Sequence, residues 1–243
     1  PRSRATMWHA SDLCAHCGLC VLTDRRGPYC PGKLKREQIV LSPQGYGPAR
    51  NIVSLTGGDL YCRPAYYIQF FKLVKKHAPD MWVHIETNGY GLTPKNLELL
   101  YEAGLDSIWL DMKAYDRDTY EYLCGTTNEW ILELPARIVD LGIILEVVLL
   151  YIPGLVETNQ IRRLGEIVVE ASRDTPVMLL AFFPEYKLRY LNPPSREDIV
   201  KAYQILVGYG LRNVKIGNIG VMCETKQCVD ELIEQLGRKA IGL

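Results

Sequence analysis

Three cysteines near the start of the chain stand at a fixed interval, in the run Cys14-Ala15-His16-Cys17-Gly18-Leu19-Cys20. A loop this short brings its sulfurs to a common point, and ferredoxin-type iron–sulfur clusters are held by Cys thiolates at the same two-residue gaps. Tetrahedral zinc also takes Cys pairs two apart, and Cys30 is available as a fourth ligand. The loop alone leaves both metals open. His16, inside the triad, reads first as a loop histidine facing water rather than as a ligand.

Further along, three polar tripeptides each follow an apolar run: Gly57-Gly58-Asp59, Glu86-Thr87-Asn88 and Asp111-Met112-Lys113. Two glycines in succession let a backbone approach a ligand closely and leave its N–H and C=O groups free to bond it; the plainer reading is a tight turn. Cys62, four residues past Gly58, lies near enough to serve as a hydrogen donor or covalent partner, against the reading of a small buried hydrophobe. The scattered Cys124, Cys223 and Cys228 read as ordinary thiols. The tyrosines Tyr61, Tyr66, Tyr67, Tyr186 and Tyr190 fit a substrate mouth or the edges of a core equally well. His9 reads as core or solvent, and His84 as facing a helix layer.

The elements that must position these residues alternate. Strands are expected at Met7 to Ser11, Asn51 to Leu55, Met81 to Glu86, Ser107 to Asp111, Ile144 to Tyr151, Val177 to Phe183 and Val214 to Ile219. Helices are expected near Pro64 to His77, Thr93 to Ala103, Asp118 to Leu123, Trp130 to Leu141, Asn159 to Ala171, Ser195 to Gly208 and Val229 to Leu236. Thr93 and Ser195 read as N-caps, and Pro94 stands at a first helical position. Parallel strands need crossovers, and helices are the usual ones, so the pattern is α/β with parallel strands curling into an incomplete barrel. Active sites in such sheets lie where the strands' carboxyl ends meet, which is where the three tripeptides fall.

At 243 residues the chain is long enough for one large domain, expected to span 1–243, with a cluster loop at 12–31, an irregular connection at 21–50 and a closing helix at 229–236. Its 28 basic and 28 acidic residues cancel, so no broad field recruits nucleic acid or a membrane surface. The longest apolar stretch, Ile143 to Ile152, is interrupted by Glu146 and is too short to cross a bilayer. No basic segment followed by an apolar one opens the chain, so a cytoplasmic protein is expected. Its eight cysteines then suit metal better than disulfides.

The order of Cys triad, Thr56-Gly57-Gly58-Asp59, Glu86-Thr87-Asn88-Gly89, Asp111-Met112-Lys113 and Ile152-Pro153-Gly154 resembles radical S-adenosylmethionine (radical SAM) enzymes. It is most similar to the activating enzymes of pyruvate formate-lyase and other glycyl-radical enzymes, and to the AmmeMemoRadiSam-associated radical proteins. The resemblance implies a partial (βα)6 TIM-type barrel in which Cys14, Cys17 and Cys20 hold a [4Fe–4S] cluster with one iron open to S-adenosylmethionine. It implies reductive cleavage of that cofactor to a 5′-deoxyadenosyl radical that takes hydrogen from a substrate, with electrons from a low-potential donor of flavodoxin or ferredoxin type. Gly57, Gly58 and Asp59 would hold the methionyl amino group, Glu86 and Asn88 the nucleoside or methionyl moiety, and Lys113 the carboxylate. The substrate, whether a protein glycine or a small molecule, is not named by any motif.

Three departures from the family pattern stand out. Both gaps in the triad are two residues, where the family has three and then two. Asp59 replaces a common Glu, and Phe183 stands where close relatives tend to carry His. The competing class is an electron carrier or zinc-stabilised module in which Cys30 closes the metal site.

Overall fold

Alternate residues on the strands of this chain face two different environments, and that contrast shapes the molecule. The computed structural model describes residues 4–8, 52–56, 60, 63–79 and 81–241. In chain order the elements are β1 (Arg4–Trp8), β2 (Ile52–Thr56), α1 (Pro64–His77), β3 (Trp82–Thr87), α2 (Pro94–Glu102), β4 (Ser107–Met112), α3 (Arg117–Cys124) and α4 (Leu134–Asp140). They continue with β5 (Ile144–Tyr151), α5 (Thr158–Ala171), β6 (Val177–Ala181), α6 (Arg196–Gly208), β7 (Val214–Gly217) and α7 (Lys226–Leu236). The seven strands form one sheet in the order β1-β2-β3-β4-β5-β6-β7. Strands β2 to β7 are parallel, as expected.

The first strand departs from expectation. It lies at Arg4–Trp8 rather than Met7 to Ser11, and it pairs antiparallel with β2, Trp8 opposite Ile52 and Arg4 opposite Thr56. Its carboxyl end is therefore at the opposite edge from those of β2 to β7, and it does not itself deliver the chain to their shared opening. The cluster loop 12–31 and the connection 21–50 lie outside the described residues.

Consecutive parallel strands with helical crossovers of one hand place every helix on one face of the sheet, which then curls around the other, as in a TIM-type barrel. The helix-side face is apolar up to Thr87 at the end of β3: Val83, Ile85, Ile108, Leu110, Met112, Leu145, Val147, Leu149, Val177, Leu179, Val214 and Ile216 are all buried in one continuous core. Local chemistry sets the helix ends. The Thr93 side chain accepts a hydrogen bond from the Asn96 N–H behind Pro94, and Ser195 with Asp198 makes a reciprocal capping box at α6. Helix α4 starts at Leu134 rather than Trp130, because residues 128–133 are taken up by turns in which the Asn128 carbonyl accepts from Ile131 and Leu132. Helix α7 starts three residues earlier than expected, capped by Thr225.

The early start of α7 brings Cys228 into its first turn, where it forms a disulfide with Cys223. The pair are not the ordinary thiols expected from their scatter, since only the folded connection between β7 and α7 brings them together. Among the described residues no helix is long and apolar enough to cross a membrane.

Candidate active site

The inner face of the sheet, opposite the helices, carries the polar residues. Register places Ser54, His84 and Ser107 in one row across β2, β3 and β4. The next row toward the carboxyl ends holds Glu86, Trp109 and Glu146 across β3, β4 and β5. The following one holds Asp111, Val148, Met178 and Lys215 across β4 to β7. A half-buried carboxylate, an indole and a second carboxylate thus sit side by side beneath the strand ends.

Glu86 lies one residue from the end of β3, and burial pushes its carboxyl up from the usual range. The Asn88 side-chain oxygen accepts the Tyr90 N–H at 2.9 Å and the Thr87 hydroxyl oxygen accepts the Gly89 N–H at 3.1 Å, so the turn after β3 is tied to its own side chains. Gly89 has a φ of +80°. A Cβ there would lie 2.8 Å from Leu134 Cδ1 and 2.9 Å from Leu110 Cδ1, so both backbone and space call for glycine.

Beyond β4, Lys113 donates to Asp111 Oδ2, each side chain about one-third exposed at 33%. The other oxygen of Asp111, Oδ1, is buried and has no hydrogen-bond partner among the described residues. The loop that follows is pinned by two amides the sequence reading did not single out. Asn128 Nδ2 donates to the carbonyls of Ala114 and Tyr115 at 3.1 and 2.8 Å. Gln160 Oε1 accepts the N–H groups of Tyr115 and Asp116 at 3.0 and 2.9 Å, and its Nε2 donates to the Leu155 carbonyl. Both amides stand far from Lys113 in the sequence, so no local pattern pointed to them.

Two other inner-face residues also escaped the sequence reading. Glu146 registered only as a break in an apolar run. Burial raises its carboxyl to about 8, with Lys215 opposing and Glu86 adding to the shift, and its Oε1 is buried with no hydrogen-bond partner among the described residues. Lys215 is pushed down by burial against the attraction of Glu146. For each, desolvation outweighs the other's charge, so both are driven toward neutrality. For Glu146, a lone acid inside an otherwise unbroken apolar strand was the readable sign.

His84 does not face the helix layer. It shares the inner face with Glu86, with Nδ1 2.8 Å from the Ser107 hydroxyl, and burial drops its pKa to about 4. Phe183, just past β6, is 53% exposed. Tyr67 is core, whereas Tyr66, Tyr186 and Tyr190 are exposed, and the Tyr190 hydroxyl lies 3.0 Å from that of Tyr122. Cys14, Cys17, Cys20, Cys30, Gly57, Gly58, Asp59 and Cys62 lie outside the described residues. Strand β2 brings the chain as far as Thr56, at the same edge as Thr87 and Met112.

With that geometry in place, comparison with known proteins identifies the family. The family model described as the Radical SAM superfamily matches residues 14–164, more than half of the chain. The chain belongs to the radical SAM superfamily. It is 30% identical over 165 residues to an uncharacterized protein of Methanocaldococcus jannaschii, covering 65% of this chain and 47% of that one. It is 24% identical over 174 residues to the pyruvate formate-lyase 1-activating enzyme of Escherichia coli, covering 65% of this chain and 68% of that enzyme. In fold it is similar to a domain of a pyruvate formate-lyase-activating enzyme from Bacteroides vulgatus, with a TM-score of 0.57 at 20% identity, covering 68% of this chain and 98% of that domain. The chain spans about half the length of the first curated relatives it matches.

Radical SAM proteins as a class carry a [4Fe–4S] cluster and S-adenosylmethionine. The methionyl end of that cofactor is a zwitterion beside a sulfonium, so its site needs both signs of charge. Lys113 supplies a cation, Glu86 and Asp111 supply carboxylates, and the unpartnered Asp111 Oδ1 calls for a donor or a cation. The described residues therefore fit the cofactor. For the cluster, the fit rests on the chemistry of three thiols at tight spacing.

Proposed function

We propose that this chain is a radical SAM enzyme of the activating type, whose target is a glycine in a protein. Cys14, Cys17 and Cys20 are the cluster ligands in this reading. Gly57, Gly58 and Asp59 receive the methionyl amino group, Glu86 and Asn88 contact the cofactor's polar edge, and Lys113 meets its carboxylate. The bound cluster and S-adenosylmethionine supply a one-electron cleavage that yields a hydrogen-abstracting 5′-deoxyadenosyl radical. The protein's own part is to orient and to exclude water. Asn128 and Gln160 hold the loop that carries Lys113, and the apolar layer beneath keeps the floor of the site dry. A low-potential protein of flavodoxin or ferredoxin type is the proposed electron donor, in the cytoplasm.

The observation that carries this reading is the convergence of Glu86, Asp111 and Lys113 at one edge of the sheet, beside the strand that leads into Gly57-Gly58-Asp59. An electron carrier or zinc module closed by Cys30 has no use for that set. The test is anaerobic reconstitution with iron and sulfide, then dithionite and S-adenosylmethionine, with 5′-deoxyadenosine measured by chromatography. Wild type and Cys30→Ala are expected to produce it and Cys17→Ala is not. A fully loaded cluster that yields none, or a Cys30→Ala protein that cannot hold its cluster, would overturn the proposal.

A further inference from the structure

The inner face holds, in the same row as Glu86, a carboxyl that nothing in the chemistry above employs. Glu146 lies on β5, next to Trp109 on β4, which in turn neighbours Glu86 on β3. Its strand neighbours Leu145 and Val147 point the other way, into the core under the helices. One of its oxygens is buried without a hydrogen-bond partner among the described residues, while the residue as a whole keeps some exposure. Buried polar atoms are nearly always paired, so such an atom facing a site is open to a ligand's donor or acceptor. The charged groups acting on it are Glu86 from β3 and Lys215 from β7; on the same face the titratable His84 of β3 and Asp111 of β4 stand one row to either side, and β6 presents the uncharged Met178.

We infer that Glu146 is a substrate-binding residue, whose carboxyl pairs with the N–H and the C=O of one extended residue in a peptide. This rests on the peptide-directed reading above and names the group that would recognise the peptide. A residue in extended conformation turns its own N–H and C=O to the same side, as it does when two antiparallel strands exchange both bonds. A protonated carboxyl offers one donor and one acceptor on adjacent oxygens, which matches that pair; a carboxylate offers acceptors only and repels the carbonyl. The burial that raises Glu146 to about 8 keeps it in the matching form near neutral pH. Glycine suits this approach because no Cβ holds the backbone away from the sheet.

The test uses the cluster-loaded full chain with S-adenosylmethionine bound. Its probes are an acetylated and amidated alanine pentapeptide with central glycine, and the same peptide with central N-methylglycine, which lacks the N–H. Wild type is expected to bind the glycine peptide about tenfold more tightly by calorimetry, the equivalent of one hydrogen bond. Glu146→Ala is expected to abolish that preference. Glu146→Gln, which keeps one donor and one acceptor, is expected to retain it. Wild-type affinity for the glycine peptide should fall as pH rises through about 8, and that of Glu146→Gln should not. A preference that survives in Glu146→Ala overturns the assignment, as does wild type that binds neither peptide. Should Glu146→Ala fail to fold, the pH series decides: a flat wild-type profile overturns the assignment and a fall absent from Glu146→Gln supports it. Peptide discrimination without 5′-deoxyadenosine formation would sink the radical chemistry and leave this site standing; the reverse result would do the opposite.

Discussion

His84 shows how a single residue's surroundings set its charge. Its ring is buried on the inner face against the Ser107 hydroxyl, and desolvation holds it neutral down to about pH 4, where an exposed histidine would take a proton near 6.5. The unfolded chain therefore binds a proton that the folded chain refuses between those values. Stability is present above pH 6.5 and is lost as pH falls toward 4, by about 3 kcal/mol at the acid end. Urea midpoints measured across that range should decline in wild type, and His84→Gln should flatten the decline. A wild-type midpoint that stays level from pH 6.5 to 4 would show that the ring titrates freely. Glu146 obeys the same rule with the opposite sign, since burial raises an acid and lowers a base.

At the scale of elements, the turn leaving β3 is the most constrained piece near the site. It must carry Asn88 past Glu86, reverse at Gly89 with a positive φ, and pass beneath Trp130, whose indole Nε1 donates to the Gly89 carbonyl at 3.4 Å. Gly89→Ala places a methyl against Leu134 and Leu110 in a backbone region that L side chains avoid. We expect a loss of about 2 kcal/mol, read as a lower thermal midpoint, together with weaker S-adenosylmethionine binding by equilibrium dialysis. An alanine variant as stable as wild type would mean that the turn has room to relax. The Asx-turn chemistry of Thr87-Asn88-Gly89 is visible in the sequence. The contacts with Leu110, Leu134 and Trp130 come from β4, α4 and the segment between them, and no local pattern reports them.

Across the whole molecule, one core runs without a break from Leu55 on β2 to Ile216 on β7. Because each of β2 to β7 shares that core with its neighbours, none of these strands can lose its packing alone. In urea, far-UV circular dichroism and tryptophan emission are expected to change together in a single transition of the metal-free chain. Tryptophan emission that changes well before the circular dichroism would show instead that the sheet comes apart in pieces. Trp82 on β3, Trp109 on β4 and Trp130 before α4 report from separate parts of the fold, which makes the comparison informative.

The sequence by itself determined the alternation of strands and helices and most element boundaries, because periodicity and caps are local properties. It also placed Glu86, Asn88 and Lys113 at strand ends, since each stands at the close of an apolar run. Only the tertiary structure decided which face a strand residue presents and what stands opposite it. That is why His84 turned inward, why Glu146 joined Glu86 and Lys215, why β1 ran against its neighbour, and why Cys223 met Cys228. Each depends on pairing between segments far apart in the chain or on the path of a folded connection, and neither composition nor spacing encodes those directly.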